Sequence, residues 1–251
     1  MTGVLLITGG SRGIGAATAR LAARKGYDVA INYRAASDQA EALVDEIEQG
    51  GSRAMAVQAD VASQEQVEAM FREVDAFGPL TALVNSAGIS LTAQVAAFEQ
   101  GALERLLAIN VVGTLLCCRE AVRRMSTRLG GKGGAIVNVS SMAAAIGGRP
   151  GRTAYAASKG AVDSFTIGLA KEVGPEGIRV NALRPGMTMT DMTDAVRCNP
   201  ELYARIAATI AMNRCAEADE MALPILWLLS EEASFISGAR LDGSGGGFVV
   251  G

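Results

Sequence analysis

Short, nearly continuous apolar runs alternate along the chain with longer stretches in which apolar residues recur every three to four positions. Runs of this kind are typical of strands that are buried on both faces of a sheet. The predicted strands are 4–8, 28–33, 54–60, 82–88, 135–141, 178–186 and 239–246. The amphipathic stretches predict helices at 12–23, 38–49, 63–76, 99–127, 153–173, 201–212 and 217–232.

Regular alternation of strand and helix predicts an α/β fold. Because crossovers between parallel strands are right-handed, we expect one doubly wound, seven-stranded parallel sheet with helices on both faces. No linker or repeat divides residues 1–251, so we expect a single domain. Ser37 and Ser63 are expected helix N-caps, and Gly26 and Gly78 are expected C-caps.

The charge and the apolar runs of the chain indicate which classes of partner are not expected. The net charge of −3 does not favour a nucleic acid or an anionic membrane surface as a partner. We expect neither a signal peptide nor a spanning helix, since the chain enters a strand pattern at once and no apolar run reaches ~18 residues.

The four cysteines lack CxxC spacing and the chain contains no histidine, so no metal site is expected. Free thiols are typical of a cytoplasmic protein. The absence of histidine also excludes the usual general base near neutral pH, so acid–base chemistry would need another group. Tyr155 and Lys159 stand four residues apart in a predicted helix and therefore share one face. By itself this spacing is common on surface helices.

The stretch ITGGSRGIG (7–15) lies between the first strand and the first helix. Its glycines permit a tight turn and close approach of the backbone to a pyrophosphate at the helix N-terminus. We therefore expect dinucleotide binding. The residues concerned are Gly9, Ser11, Arg12, Gly13, Ile14 and Gly15.

The second strand ends in Asn32, Tyr33 and Arg34, without the carboxylate that would bind a ribose 2′-hydroxyl. Arg12 adds a second guanidinium from the glycine loop. Two guanidinium groups suit a 2′-phosphate, which favours NADP(H) over NAD(H). The alternative is that Arg34 is a solvated surface residue and that Arg12 only closes the loop.

These motifs, in this order, resemble those of the classical short-chain dehydrogenase/reductase family, which has a Rossmann fold. The resemblance covers residues 3–247 and includes TGGSRGIG (8–15), ADV (59–61), NSAG (85–88), IN (109–110), VNVSS (137–141), YAASK (155–159) and RPG (184–186). It implies hydride transfer between a nicotinamide and an alcohol or carbonyl. The implied catalytic tetrad is Asn110, Ser141, Tyr155 and Lys159, with Asn110 in a helix break.

The resemblance also implies further cofactor contacts. They are Asp60, Val61, Asn85, Ala87, Gly88, Tyr155, Lys159, Pro185, Gly186, Thr188 and Thr190. Ser140 competes with Ser141, and we choose Ser141, which stands fourteen residues before the tyrosine. Lys159 at ~5 Å and an effective dielectric of ~20 would lower the pKa of Tyr155 by about 2 units.

Few residues of the sequence indicate which substrate the protein binds. Residues 188–215 are expected to form a substrate lid, and Met187, Met189 and Met192, which cluster at its start, either line this lid or pack. The sequence favours a sugar or polyol, and the alternative is a 3-oxoacyl group on an acidic carrier protein, against which Glu176 near the catalytic helix argues. A non-catalytic dinucleotide sensor on the same fold is the alternative of another class. The resemblance implies a homotetramer. Trp227 is expected to be buried against the sheet.

Overall fold

The apolar runs form one parallel sheet. The computed structural model describes residues 3–247, and within that range the strand order is β3-β2-β1-β4-β5-β6-β9, which confirms the predicted seven-stranded sheet. A two-stranded parallel ladder, β7–β8, was not predicted. The strands are β1 (Val4–Thr8), β2 (Asp28–Tyr33), β3 (Ala54–Gln58), β4 (Leu80–Asn85), β5 (Gly134–Val139), β6 (Ile178–Pro185), β7 (Thr188–Met189), β8 (Ala216–Glu217) and β9 (Arg240–Gly243).

Helices cover both faces of the sheet, as predicted. They are α1 (Gly13–Arg24), α2 (Ser37–Gln49), α3 (Gln64–Phe77), α4 (Gln100–Leu107), α5 (Thr114–Met125), α6 (Ala143–Ile146), α7 (Thr153–Val173), α8 (Asp194–Arg197), α9 (Pro200–Ala207) and α10 (Ala218–Leu229). Alternate side chains of each strand enter opposite cores. In β1, Leu5 and Ile7 pack with α1, α2 and α10, whereas Val4 and Leu6 pack with α3, α5 and α7.

The order of the strands positions the site. The chain leaves β1 toward β2 on one side and β4 lies on the other, so the loops after β1 and β4 diverge at the carboxyl edge. A crevice opens at such a reversal, and ligands of open α/β sheets bind there. The glycine loop follows β1 at this edge.

The predicted helix 99–127 is divided. A π-helical turn, Ala108–Gly113, separates α4 from α5 and contains the buried Asn110. By length and mean hydropathy (1.5) alone, Gln100–Met125 could span a membrane, although it contains no long uninterrupted apolar run. In this fold, α5 packs against β4 and α3.

Three of the four predicted helix caps are confirmed. Ser63 accepts a hydrogen bond from the Gln66 amide, Gly26 ends α1 with a φ of +87°, and Gly78 is the C-cap of α3. The expectation for Ser37 is wrong, because Ser37 is already the first helical residue and its hydroxyl donates to Asp38.

The segment expected to form a lid has its own small core. Val196, Ile206, Ile210 and Cys215 are buried together, and Met187 and Met189 pack against them. Two of the three methionines are therefore packing residues. The expectation for Trp227 is wrong: its side chain is 39% exposed on α10, because this position lies on the face turned away from the sheet.

Candidate active site

Two glycines of the loop, Gly9 and Gly15, are packed too tightly to be replaced by a larger residue. Gly9 has a φ of +61°, and a Cβ there would lie 2.8 Å from the Ala87 Cα atom. A Cβ on Gly15 would lie 2.4 Å from the Gly9 carbonyl oxygen. Helix α1 is thereby brought close under the ends of β1 and β4.

The N-terminus of α1 is suited to an anion. Arg12 occupies the N-cap position, no described side chain caps the helix, and its first turn holds no acidic residue. Free amide groups and the helix dipole therefore favour a negative group at this end. The loop thus fits the pyrophosphate of a dinucleotide, with Ser11, Gly13 and Ile14 at the turn.

Asn32 has a structural part in this loop. Its Oδ1 atom accepts a hydrogen bond of 3.2 Å from the Gly9 amide, and its Nδ2 atom donates to the carbonyls of Val57 and Ala59. The buried amide therefore fixes the glycine loop to β2 and β3. Its side chain is engaged inside the protein, whereas Tyr33 and the exposed Arg34 lie at the strand end.

Arg12 contacts Asp191, which lies in the segment expected to form a lid. Its guanidinium lies 3.6 Å from the Asp191 carboxylate, and both side chains are largely solvated. The two residues line a cavity of about 360 Å³ beside the loop. Thr190, which precedes Asp191, also reaches this loop, because its Cγ2 atom would lie 3.3 Å from a Cβ on Gly13.

Asp60 is held by protein groups. Its carboxylate accepts from the Ala62 amide at 3.0 Å and from Arg105 at 2.6 Å. Burial opposes ionisation, but these two hydrogen bonds hold the pKa of Asp60 below its usual value. The neighbouring Val61 packs against Gly113 of the π-helical turn, where no Cβ would fit.

The end of β4 is tied to the end of β1. The Thr8 hydroxyl accepts hydrogen bonds from the amides of Ser86 and Ala87. The Asn85 side chain turns into the core, where it donates to Asn138 and to the Cys118 sulfur. Any contact of Asn85 with a dinucleotide would therefore come from its backbone.

Tyr155 and Lys159 lie on α7 at the carboxyl edge of the sheet. The Lys159 Nζ atom donates a 2.8 Å hydrogen bond to the Val139 carbonyl at the end of β5 and lies 5.9 Å from the centre of the Tyr155 ring. A Cβ on Gly88 would lie 3.4 Å from Asn110 Oδ1 and 3.5 Å from Lys159 Nζ. The Asn110 amide and the Lys159 ammonium thus both lie beside Gly88.

The side chains of Tyr155 and Lys159 have shifted pKa values. Burial raises the pKa of Tyr155, although a hydrogen bond with the Ser141 side chain and the charge of Arg152 oppose the rise. Burial lowers the pKa of Lys159 to about 8, and the charge of Asp163 opposes this. The expected lowering of the Tyr155 pKa is thus not found in the protein alone, because burial outweighs the favourable charges.

The structure separates the two candidate serines. Ser141 hydrogen-bonds to Tyr155, and its hydroxyl accepts from the Ala143 amide. Ser140 is buried and donates to the Lys159 carbonyl instead. This geometry favours Ser141, as the sequence did.

Asn110 fixes the segment after Gly88. Its Oδ1 atom accepts from the Ile89 amide at 2.8 Å, and its Nδ2 atom donates to the Ile89 carbonyl at 2.9 Å and to the Ser158 hydroxyl at 3.1 Å. Ser158 in turn donates to the Tyr155 carbonyl. The π-helical turn therefore connects the segment after β4 to α7, which carries Tyr155 and Lys159.

The loop after β6 closes the remaining side of the site. The Gly186 amide donates to the Gly243 carbonyl, and the Pro185 carbonyl accepts from the Met142 amide. Thr188 is buried, and Thr190 forms a reciprocal cap with Thr193.

Two polar residues of this site were missed by the sequence analysis. Asp163 on α7 and Arg184 near the end of β6 form a largely buried ion pair of 2.7 Å. The signal was the position of Asp163 four residues after Lys159, on the same helix face.

Comparison with known proteins finds relatives over nearly the whole chain. Residues 9–247 match a family model described as enoyl-(acyl carrier protein) reductase. The chain is 47% identical over 245 residues to the uncharacterized oxidoreductase YgfF of Escherichia coli K12, covering 97% of this chain and 99% of YgfF. It is 36% identical to the 3-oxoacyl-[acyl-carrier-protein] reductase FabG of Staphylococcus aureus, covering 99% of each chain.

Among solved structures, a protein from Agrobacterium tumefaciens provisionally named a gluconate dehydrogenase superposes with a TM-score of 0.92. It is 31% identical, and the match covers 98% of this chain and 96% of the other. Fold, site and relatives define an NAD(P)-dependent oxidoreductase. The chain belongs to the short-chain dehydrogenase/reductase family.

Proposed function

We propose that the protein transfers a hydride between NADP(H) and a carbonyl or secondary alcohol, with Tyr155 as the general acid and base. The observation that carries this proposal is the convergence of Ser141, Tyr155 and Lys159 at the carboxyl edge of the sheet, where the glycine loop also lies. A bound nicotinamide would supply or accept the hydride and, when oxidised, would add positive charge near the phenol.

The side chains have separate parts in this scheme. In reduction, Tyr155 donates a proton to the carbonyl oxygen, and in oxidation its phenolate takes the proton of the alcohol. Ser141 hydrogen-bonds to the same oxygen and stabilises the charge that develops there. Lys159 stabilises the phenolate through its ammonium, which is largely charged at pH 7 with a pKa of about 8. Asn110 acts as a support, since its amide is bound to Ile89 and Ser158.

The raised pKa of Tyr155 is compatible with its part as the proton donor in reduction. A protonated phenol is the form that donates, and burial raises the pKa of this phenol further. Because a catalytic group accelerates both directions of a reversible hydride transfer, the proposal covers carbonyl reduction and alcohol oxidation alike.

The preference for NADP(H) is supported by charge. Arg12 and Arg34 lie at the glycine loop and just beyond β2, and β2 ends without a carboxylate. A 2′-phosphate would gain charge-assisted hydrogen bonds from guanidinium groups there. Asp191 now pairs with Arg12 and would compete with the phosphate.

For the substrate we propose a sugar or polyol, in line with the name of the Agrobacterium protein. A 3-oxoacyl group on a carrier protein is the second candidate, supported by the 36% identity to FabG. The sequence argument against a carrier does not hold, because Glu176 is buried, is paired with Arg128 at 2.7 Å and hydrogen-bonds to Ser126. Its charge is therefore not presented to a partner.

We also propose a cytoplasmic homotetramer. Two separate apolar surfaces support four subunits: Leu107 and Val112 are exposed on α4 and the π-helical turn, and Leu223, Trp227 and Phe235 are exposed on and after α10. Two different self-complementary surfaces on one chain generate a tetramer.

The test is NADPH consumption by the purified protein over a matched substrate panel. Aldoses, ketoses and 5-ketogluconate would be compared with a 3-oxoacyl thioester, and the alcohol product would be identified. Turnover of any carbonyl supports the reductase, and the best substrate separates the two candidates. Tight NADPH binding without turnover of any compound would instead favour a non-catalytic sensor.

A further inference from the structure

A buried ion pair joins the catalytic helix to the end of β6. Asp163 lies one turn after Lys159 and two turns after Tyr155, so all three occupy one face of α7. Only 5% of Asp163 is exposed. Its Oδ2 atom accepts from Arg184 Nε at 2.8 Å and lies 2.7 Å from Arg184 Nη2.

This ion pair closes a ring of contacts around the site. Arg184 immediately precedes Pro185, whose carbonyl accepts a 3.0 Å hydrogen bond from the Met142 amide. Met142 follows Ser141, and Ser141 hydrogen-bonds to Tyr155 on α7. The contacts therefore form a closed ring. It runs from Asp163 on the catalytic helix through Arg184 and Pro185 of β6 to Met142 and Ser141, and returns to the same helix at Tyr155.

Stability alone does not account for this arrangement. Buried ion pairs seldom gain more than they lose by desolvation. In addition, the Asp163 Oδ1 atom is buried and has no hydrogen-bond partner among the described residues, which costs free energy. Arg184 has a second acidic neighbour in Asp242 at 3.5 Å. The unpaired carboxylate oxygen lies on the same helix face as the catalytic ammonium.

We propose that Asp163, held by Arg184, is a positioning residue of the catalytic site, which fixes the helix carrying Tyr155 and Lys159 against the strand end that anchors Ser141. The carboxylate also supplies negative charge to Lys159. This inference rests on the proposed function, because it assigns Asp163 a part only through Tyr155, Lys159 and Ser141.

The charges around Lys159 give a direction for the test. Tyr155 and Asp163 face it from its own helix, and Arg184 reaches Asp163 from β6. The end of β5 faces it with the Val139 carbonyl, and the π-helical turn faces it with the Asn110 amide. Asp163→Asn would remove the negative neighbour and leave the positive charge of Arg184 without its partner Asp163, and both effects would lower the pKa of Lys159.

Direct titration of Lys159 is practicable, because the chain contains four lysines. With ¹³C-labelled lysine, the Lys159 signal is identified by its loss in Lys159→Met. We expect the Lys159 midpoint near pH 8 in the wild type and about one unit lower in Asp163→Asn. The double variant Asp163→Asn/Arg184→Gln removes both charges, and its midpoint should move back toward the wild-type value.

Turnover provides the second readout. In Asp163→Asn we expect kcat to fall about tenfold while the Kd for NADPH changes less than threefold, because the ring of contacts affects alignment and not the glycine loop. Arg184→Lys keeps the charge and loses the two-point contact, so kcat should fall with little change in the Lys159 midpoint.

A folded Asp163→Asn protein with the wild-type Lys159 midpoint and wild-type kcat would overturn the inference. If Asp163→Asn does not fold, Arg184→Lys decides, and an unchanged kcat in that variant contradicts the positioning role. The titration does not depend on turnover. An inactive wild type would therefore count against the proposed function, while the midpoints would still test the effect of Asp163.

Discussion

The ammonium of Lys159 lies 5.9 Å from the centre of the Tyr155 ring and donates its hydrogen bond to the Val139 carbonyl. The lysine thus faces the ring of the tyrosine while it is anchored to the end of β5. Lys159 is buried and Tyr155 is partly buried, and burial shifts both pKa values toward the uncharged form. The fold therefore places two ionisable groups next to each other although their burial costs free energy. Groups with pKa values shifted in this way are typical of catalytic positions.

The first prediction concerns the cost of burying Lys159. Its pKa is about 8 in the folded protein and 10.5 in the unfolded chain, so folding loses about 3 kcal/mol below pH 8. Between these values the unfolded chain binds the extra proton, and the contribution to stability rises with pH. Lys159→Met should therefore raise Tm at pH 7, by less as the pH approaches 10, and should abolish turnover. A lower Tm at pH 7 in thermal denaturation would contradict this prediction.

The second prediction concerns cofactor choice. Arg12→Ala should weaken NADPH binding about tenfold and leave NADH binding nearly unchanged, because the guanidinium would contact the 2′-phosphate. Asp191→Asn should tighten NADPH binding two- to threefold, since it frees Arg12 from an exposed ion pair worth ~0.2–1 kcal/mol. Fluorescence titration measures both constants. Equal affinities of the wild type for NADPH and NADH would refute the preference.

The third prediction concerns the glycine loop. Gly15→Ala places a methyl group 2.4 Å from the Gly9 carbonyl, so the loop must shift and NADPH binding should weaken at least tenfold. Gly101→Ala is the matched control, because nothing lies within 4 Å of a Cβ there on α4. The control should gain about 0.5–1 kcal/mol of stability and bind NADPH normally. Normal binding by Gly15→Ala would show that the loop does not hold the dinucleotide.

The fourth prediction concerns assembly. Trp227 is 39% exposed and Phe235 is fully exposed, while Leu107 and Val112 are exposed on a different surface. Trp227→Glu and Val112→Glu should each convert a tetramer into a dimer, by disrupting different interfaces. Light scattering with size-exclusion chromatography measures the mass. A monomeric wild type would contradict the two-interface arrangement. A tetramer that persists in either variant would contradict it as well.

The sheet could be predicted because doubly buried strands leave continuous apolar runs, as in Val4–Thr8. Glycine positions in the loop were likewise visible, because few other residues permit that turn. Long-range contacts were not visible. The hydrogen bond between the Asn32 side chain and the Gly9 amide joins residues 23 apart in sequence and could not be predicted, and the assignment of Asn32 to the cofactor stays a prediction.

The burial of individual side chains was predicted wrongly at several positions. Trp227 reads as a core residue in an apolar helix, yet it lies on the face turned to solvent. Glu176 reads as a surface charge, yet it is buried against Ser126 and Arg128. For Tyr155, the sequence indicates the charge of Lys159 but not the loss of hydration, and in this fold the latter determines the direction of the pKa shift.

The most direct test of the account is the rate of NADPH oxidation by Tyr155→Phe, measured with the best carbonyl substrate of the wild type. The substitution removes one hydroxyl from α7. The account predicts a rate below about one per cent of the wild type, since proton transfer contributes ~10²–10⁴-fold, together with an NADPH Kd within about twofold. A Tyr155→Phe protein that retains more than a few per cent of the rate would show that another group supplies the proton.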